Sequence, residues 1–178
     1  FEAEGGVDVY AAAHNETSTG VALQVRRVAG VDNDALMVWD ATSAAGGLAV
    51  AAADFDVYYF APQKCFGSDG GLWFALMSPA ALERAARIAA SDRYIPAFLD
   101  LQTAVDNSVK DQTYNTPALS TVLLMAEQVD WFNERGGLAW STGRTRASAA
   151  ALYGWAEACD YASPYVADAD KRSHVIGT

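Results

Sequence analysis

Cysteine is scarce in this chain: only Cys65 and Cys159 occur among 178 residues. Two cysteines with no metal-ligand spacing make neither a disulfide framework nor a thiolate metal site, and the expectation is a reducing, cytoplasmic compartment. Positive charge is also short, with 12 Lys and Arg against 22 Asp and Glu, a net charge of −10. A surface this acidic repels phosphate backbones, which argues against a nucleic-acid partner. No apolar run approaches the roughly 20 residues a membrane-spanning helix needs. The sequence starts at Phe1, and FEAEGGVD has neither the basic start nor the apolar middle of a signal peptide. A processed protein or a portion of a longer one is therefore expected. Hydrophobic residues reach 52% and charged residues 19%, a composition that buries a core and is not that of a disordered tail.

The apolar segments come in short blocks. Residues 7–13 (VDVYAAA) read as a buried strand closed by the polar run 14–20, HNETSTG. Residues 21–28 read as a short extended piece. Residues 35–39 (ALMVW) form a second buried strand ending at Asp40, followed by the small-residue turn 42–47. Residues 57–60 make a third strand, ending near Lys64, and 71–77 (GLWFALM) a fourth. Blocks that each stop at a polar residue resemble the carboxyl ends of parallel strands, the edge where open α/β sheets bind ligands. After residue 77 the period changes. Ser78-Pro79 is a helix start running to about Ala90. Residues 91–114, with Pro96, read as irregular. Thr116-Pro117 is expected to cap a long helix through about Glu134, stopped by Gly136-Gly137. Its apolar stripe is Leu119, Val122, Leu123, Ala126, Val129 and Phe132. A further helix covers about 142–158, and His174-Val175-Ile176 reads as a new strand.

Asp40 and Lys64 each follow a buried strand, so the sheet would hold both rigidly at one edge. Burying either charge without a partner is costly. Asp40 suits a cationic ring nitrogen, and Lys64 suits a carbonyl carbon as an imine partner. Pyridoxal phosphate offers both. The plain alternatives are a turn residue for Asp40 and a solvated charge for Lys64, and spacing alone leaves them open. Trp39, Tyr58 and Tyr59 read most simply as core, Cys65 as packing, and Arg26-Arg27 as a solvated surface pair. His14 is a weaker candidate for ligand contact. Thr42 and Ser43 either support Asp40 or simply form its turn.

Four ordered motifs go further: Asn15-Glu16-Thr17 in HNETSTGVA, Asp40 in WDATSAAGG, Gln63-Lys64 in YYFAPQKCFGSDGG, and Asn115-Thr116-Pro117 in the run 111–138. In this order and spacing they resemble the phosphoserine aminotransferase family in its actinobacterial form, collinearly over nearly the whole chain. The resemblance implies the large domain of a fold-type I pyridoxal-phosphate-dependent transferase, α/β with a mostly parallel sheet flanked by helices, in incomplete form. Residues 1–160 would be part of that large domain and 161–178 the start of a small C-terminal domain.

The resemblance also implies roles. Lys64 would be the Schiff-base lysine and Asp40 the partner of the pyridinium nitrogen. Thr17 would bond the ring's phenolic oxygen and Gln63 the cofactor phosphate. Asn115 and Thr116 would reach the cofactor phosphate of a second subunit, so a homodimer is expected. The implied reaction exchanges the amino group of O-phospho-L-serine with 2-oxoglutarate in serine biosynthesis, a family activity that also serves pyridoxine biosynthesis. The alternatives are a serine– or alanine–glyoxylate type of aminotransferase on the same fold, or a non-catalytic dimerising module. Family members are about twice this length, and their remaining parts supply most of the substrate grip.

Overall fold

The computed structural model describes residues 2–32 and 34–178. Five-residue blocks rich in apolar side chains make the first and fourth strands, β1 (Val9–Ala13) and β4 (Leu36–Asp40). Between them lie the two-residue strands β2 (Asn15–Glu16) and β3 (Val21–Ala22), paired antiparallel as a small ribbon. Then follow β5 (Val57–Phe60) and β6 (Phe74–Met77). The main sheet has the order β1-β4-β5-β6. β1 and β5 both run parallel to β4, so these three carboxyl ends share one edge, as the sequence pattern predicts. β6 departs from that pattern, since it runs antiparallel to β5. The expected extended piece over 21–28 is a strand only at Val21–Ala22, although Val25 and Val28 still enter the core.

Side chains alternate across a strand, and register decides which of them meet. Tyr10 pairs with Met37 and Trp39 with Tyr58. These four lie on one face and are buried with Val25, Val28, Ala44, Ala45, Leu48 and Phe55. The other face carries Val9, Asp40 and Tyr59 and is more open, with Val9 44% and Tyr59 39% exposed.

The helices follow local signals with two corrections. α1 (Pro79–Ala89) is capped by Ser78, whose side chain accepts from Ala81 N, with Pro79 in the first turn. The expected irregular stretch 91–114 contains a helix, α2 (Leu101–Ser108). Its N-cap is Asp100, which accepts from Gln102 N at 2.9 Å and from the Thr103 hydroxyl. α3 (Leu119–Arg135) starts later than expected: Thr116 does not cap it, and Ala118 occupies the N-cap without a side-chain bond. Ala118 is still extended, with ψ 97°, so the first helical residue is Leu119 and Thr116 lies too far upstream to cap the helix.

Gly136, at φ 115°, ends α3 as predicted. α4 (Gly137–Glu157) then begins at once, five residues before the expected start. The α3 stripe is only partly covered. Phe132 packs against Phe66 and Trp140, whereas Leu119 and Leu123 are 70% and 61% exposed.

His174–Ile176 is not a strand. The segment folds back instead. Ser173 N donates to Gly20 O at 2.8 Å, and the Tyr153 hydroxyl lies 3.1 and 3.0 Å from the carbonyls of Ser173 and Ile176. Arg27 is not merely solvated. Both of its terminal nitrogens donate to Asp56, at 2.9 and 3.0 Å, and it also reaches the carbonyls of Ala53 and Phe55.

Candidate active site

Asp40 is the last residue of β4, opposite Ala13 on β1 and Tyr59 on β5. Its carbonyl accepts from His14 N at 2.8 Å, which ties the ends of β1 and β4 together. The partly buried carboxylate accepts from Thr42 N at 2.9 Å and lies 3.3 Å from the Tyr59 hydroxyl. Partial burial and the neighbouring Asp40 raise the pKa of Tyr59, so it stays a neutral donor. The reading of Tyr59 as core is therefore corrected: it is exposed and attends the carboxylate. Tyr58 and Trp39 are core, at 2% and 3% exposed. Strand alternation puts Tyr59 and Asp40 on one face only once their register is known, so the sequence alone does not reveal the contact.

Lys64 lies four residues beyond β5, in the turn 62–66 at the same carboxyl edge. Its side chain is exposed and, among the described residues, makes no ion pair and no hydrogen bond. Gln63 is exposed beside it. Burial raises the pKa of the Cys65 thiol, and its Sγ lies 3.9 Å from the Ser43 carbonyl. A thiol kept protonated and half-buried packs and does not attack.

Thr17 stands in the turn between β2 and β3, and its hydroxyl donates to Ser43 Oγ at 3.0 Å. Asn15 Nδ2 donates to the same oxygen at 2.9 Å. Asn15 Oδ1 is buried and receives no hydrogen bond from any described residue. The structure thus brings Thr17, Asp40 and Lys64 to one edge. Asn115 and Thr116 are exposed in the segment before α3, and no hydrogen bond links them to that group.

His14 is buried on the core side of the sheet, its Nδ1 3.0 Å from the Tyr58 hydroxyl. Burial lowers its pKa from 6.5 to about 4. A base whose folded pKa is depressed is charged more readily when unfolded, so acid favours unfolding. Stability should therefore fall as pH drops from about 6.5 to about 4, by up to roughly 3 kcal/mol. His14→Asn should flatten that part of the curve, as read by denaturant melts at each pH. An unchanged slope would mean His14 is not held neutral.

The family described as aminotransferase class-V matches residues 4–178, and the chain belongs to it. A phosphoserine aminotransferase of Nocardioides sp. is 64% identical over 177 residues, 99% of this chain and 47% of the relative. Another from Corynebacterium glutamicum is 63% identical over 97% of this chain and 46% of its own. The chain thus spans about half the length of the curated relatives it matches. The crystal structure of a phosphoserine aminotransferase from Cytophaga hutchinsonii superposes with a TM-score of 0.86 at 24% identity, covering 95% of this chain and 47% of that one. These findings bear out the resemblance read from the four motifs. The fold is the partial, mostly parallel α/β sheet of the fold-type I transferases.

Proposed function

We propose that this chain carries the cofactor-binding core of a pyridoxal-phosphate-dependent enzyme. That enzyme would move the amino group of O-phospho-L-serine to 2-oxoglutarate, in serine biosynthesis in the cytoplasm. The observation that carries the reading is the convergence at one sheet edge of a supported carboxylate, Asp40, and an unpaired amine, Lys64. A phosphoserine aminotransferase from Trichomonas vaginalis is described with PLP bound, and it shares the fold at a TM-score of 0.76. The 64% identity to a curated phosphoserine aminotransferase supports the substrate.

The residues fit the cofactor on chemical grounds. Asp40 accepts from two neutral donors and has no cationic partner among the described residues, so it can still hold a protonated ring nitrogen. Lys64 Nζ is free to bind a carbonyl carbon. Thr17 offers a hydroxyl, and the orphaned Asn15 Oδ1 can take a donor. Gln63 is free to donate to a phosphate, with Asn115 and Thr116 serving a second subunit's cofactor in a homodimer. When bound, the cofactor accepts the electron pair released at the amino acid's α-carbon. Asp40 would hold the protonated ring nitrogen with a fixed negative charge, which would favour that release. Lys64 would hold the cofactor through its amine and would move the α-proton, as base and then as acid. In this reading residues 1–160 belong to the large domain and 161–178 lead into the small one.

Borohydride treatment of the cofactor-loaded protein followed by peptide mass mapping tests the attachment. A mass increment on the peptide carrying Lys64 is expected, and an increment on another lysine sinks the assignment. The substrate is tested in the full-length protein by comparing amino donors at fixed 2-oxoglutarate. Phosphoserine should exceed serine and alanine in kcat/KM. A preference for serine or alanine with glyoxylate would replace this reading with the glyoxylate type.

A further inference from the structure

Ser43 stands three residues beyond Asp40, buried, in the turn that follows β4. Its hydroxyl is fully used. It donates to Asn15 O at 3.1 Å and accepts from Asn15 Nδ2 at 2.9 Å and from the Thr17 hydroxyl at 3.0 Å. One proton and two lone pairs are all a serine hydroxyl has, so no other residue can be recruited and none is missing. None of these bonds goes to Asp40, which takes its support from Thr42 N and the Tyr59 hydroxyl.

The turns after β1 and β4 are therefore joined at two points. One is at the strand ends, where His14 N donates to Asp40 O. The other is at the turns themselves, through Ser43. The far end of the 15–20 turn is tied to the C-terminal segment, through Ser173 N to Gly20 O at 2.8 Å and the Thr178 hydroxyl to Thr19 O at 2.7 Å, but the bonds that join the Thr17 side chain to the Asp40 turn run through Ser43. The 41–45 turn is itself held, since Ala44 N and Ala45 N both donate to Ala41 O at 2.9 and 2.8 Å. With its proton committed to Ser43, the exposed Thr17 hydroxyl is left with its lone pairs for a ligand.

We propose that Ser43 is a positioning residue: it fastens the Thr17 turn to the Asp40 turn, so that Thr17 and Asp40 meet the cofactor as one rigid unit. This rests on the cofactor reading above. Because Ser43 acts through Thr17, its loss and the loss of the Thr17 hydroxyl should not add.

The test is a double-mutant cycle on pyridoxal phosphate affinity, read by visible absorbance in the full-length protein. Ser43→Ala should weaken binding about tenfold, the scale of one to two lost hydrogen bonds. Thr17→Val should weaken it at least as much, and the double variant no more than Thr17→Val alone. The pH at which the bound cofactor's band changes should also move in Ser43→Ala, which mere loss of stability does not cause. An unchanged dissociation constant in Ser43→Ala, or a double variant that loses the product of the two factors, overturns the proposal. If Ser43→Ala does not fold, Ser43→Cys keeps the volume with a poorer hydrogen-bonding atom. It should fall between wild type and Thr17→Val, and wild-type affinity in that variant also overturns the proposal. If the wild-type protein takes up no pyridoxal phosphate, the cofactor reading has failed. Amide exchange in the cofactor-free protein then decides Ser43: faster exchange over 17–20 in the Ser43 variant supports the clamp, and unchanged exchange refutes it.

Discussion

Lys64→Ala in the full-length enzyme should abolish covalent capture of the cofactor and lower turnover by at least roughly 10²–10⁴-fold, the share owed to the proton transfer alone. Folding should be untouched. Lys64 is exposed, makes no ion pair or hydrogen bond among the described residues, and sits in a turn beyond β5. Surface substitutions of this kind stay within about 0.5 kcal/mol of wild type. The measurement pairs a steady-state assay with a denaturant melt of the same preparation. Lost activity with an unchanged midpoint is the expected result. Retained turnover would remove Lys64 from the chemistry, and a lowered midpoint would mean that its apparent freedom is wrong. Asp40→Asn is the useful companion. It keeps the shape and the acceptor for Thr42 N but discards the charge.

Asp56→Ala should do the opposite, destabilising the fold by about 3–5 kcal/mol. Stabilities of about 5–15 kcal/mol are usual, so the variant would be close to unfolded at moderate temperature. Asp56 is 4% exposed and its carboxylate accepts four bonds. Two come from Arg27 at 2.9 and 3.0 Å, one from Met37 N at 2.9 Å and one from the Ser78 hydroxyl at 2.8 Å. It thus joins β4, the start of β5, the cap of α1 and the Arg27 loop. Alanine leaves a buried Met37 N–H without its carboxylate acceptor and Arg27 holding only the carbonyls of Ala53 and Phe55. Asp56→Asn keeps the shape and should cost less, because the half-exposed Arg27 can be solvated. Arg27→Ala strands the buried carboxylate with only Met37 N and the Ser78 hydroxyl as donors and should cost more than Asp56→Asn.

Burial by itself would raise the Asp56 pKa. The Arg27, Met37 and Ser78 donors outweigh burial and hold it below the usual carboxylate value. A carboxyl with a depressed folded pKa contributes stability that is present above its unfolded pKa, near 3.8, and is lost as pH falls through the folded value. Acid melts below pH ~4 should therefore show a loss that Asp56→Asn lacks, distinct from the His14 window between about 6.5 and 4. An Asp56→Ala protein with a wild-type midpoint would show that the hub is ornamental.

Much of this was legible without coordinates, for a local reason. A strand inside a sheet reads as a short unbroken apolar block, and 35–39 and 57–60 announce themselves that way. Ser78-Pro79 caps a helix with atoms no more than three residues away. Four motifs in order carried the family because each is a compact turn whose chemistry is written in consecutive residues. Signals that cross the chain were not legible. Tyr59 reads as core until register sets it against Asp40. Arg27 reads as solvated until Asp56, 29 residues away, receives it. Ser43 reads as support for Asp40 or as a turn residue until the chain brings Asn15 and Thr17, 28 and 26 residues earlier, onto its hydroxyl. Thr116 misleads because a threonine before a proline looks like a cap with its first helical residue, whereas the chain stays extended through Ala118.

By itself the sequence determined the strands of the main sheet, both ends of α1 and the glycine stop of α3, which family the chain belongs to, and that Asp40 ends one strand and Lys64 follows another. Each of those depends on side chains and backbone within a few residues. Only the tertiary structure decided the direction of β6, the side of the sheet each residue faces, and the partners that hold Asp40, Thr17 and Asp56. Those depend on register and loop closure, where shifting a strand by one residue turns every side chain to the opposite face.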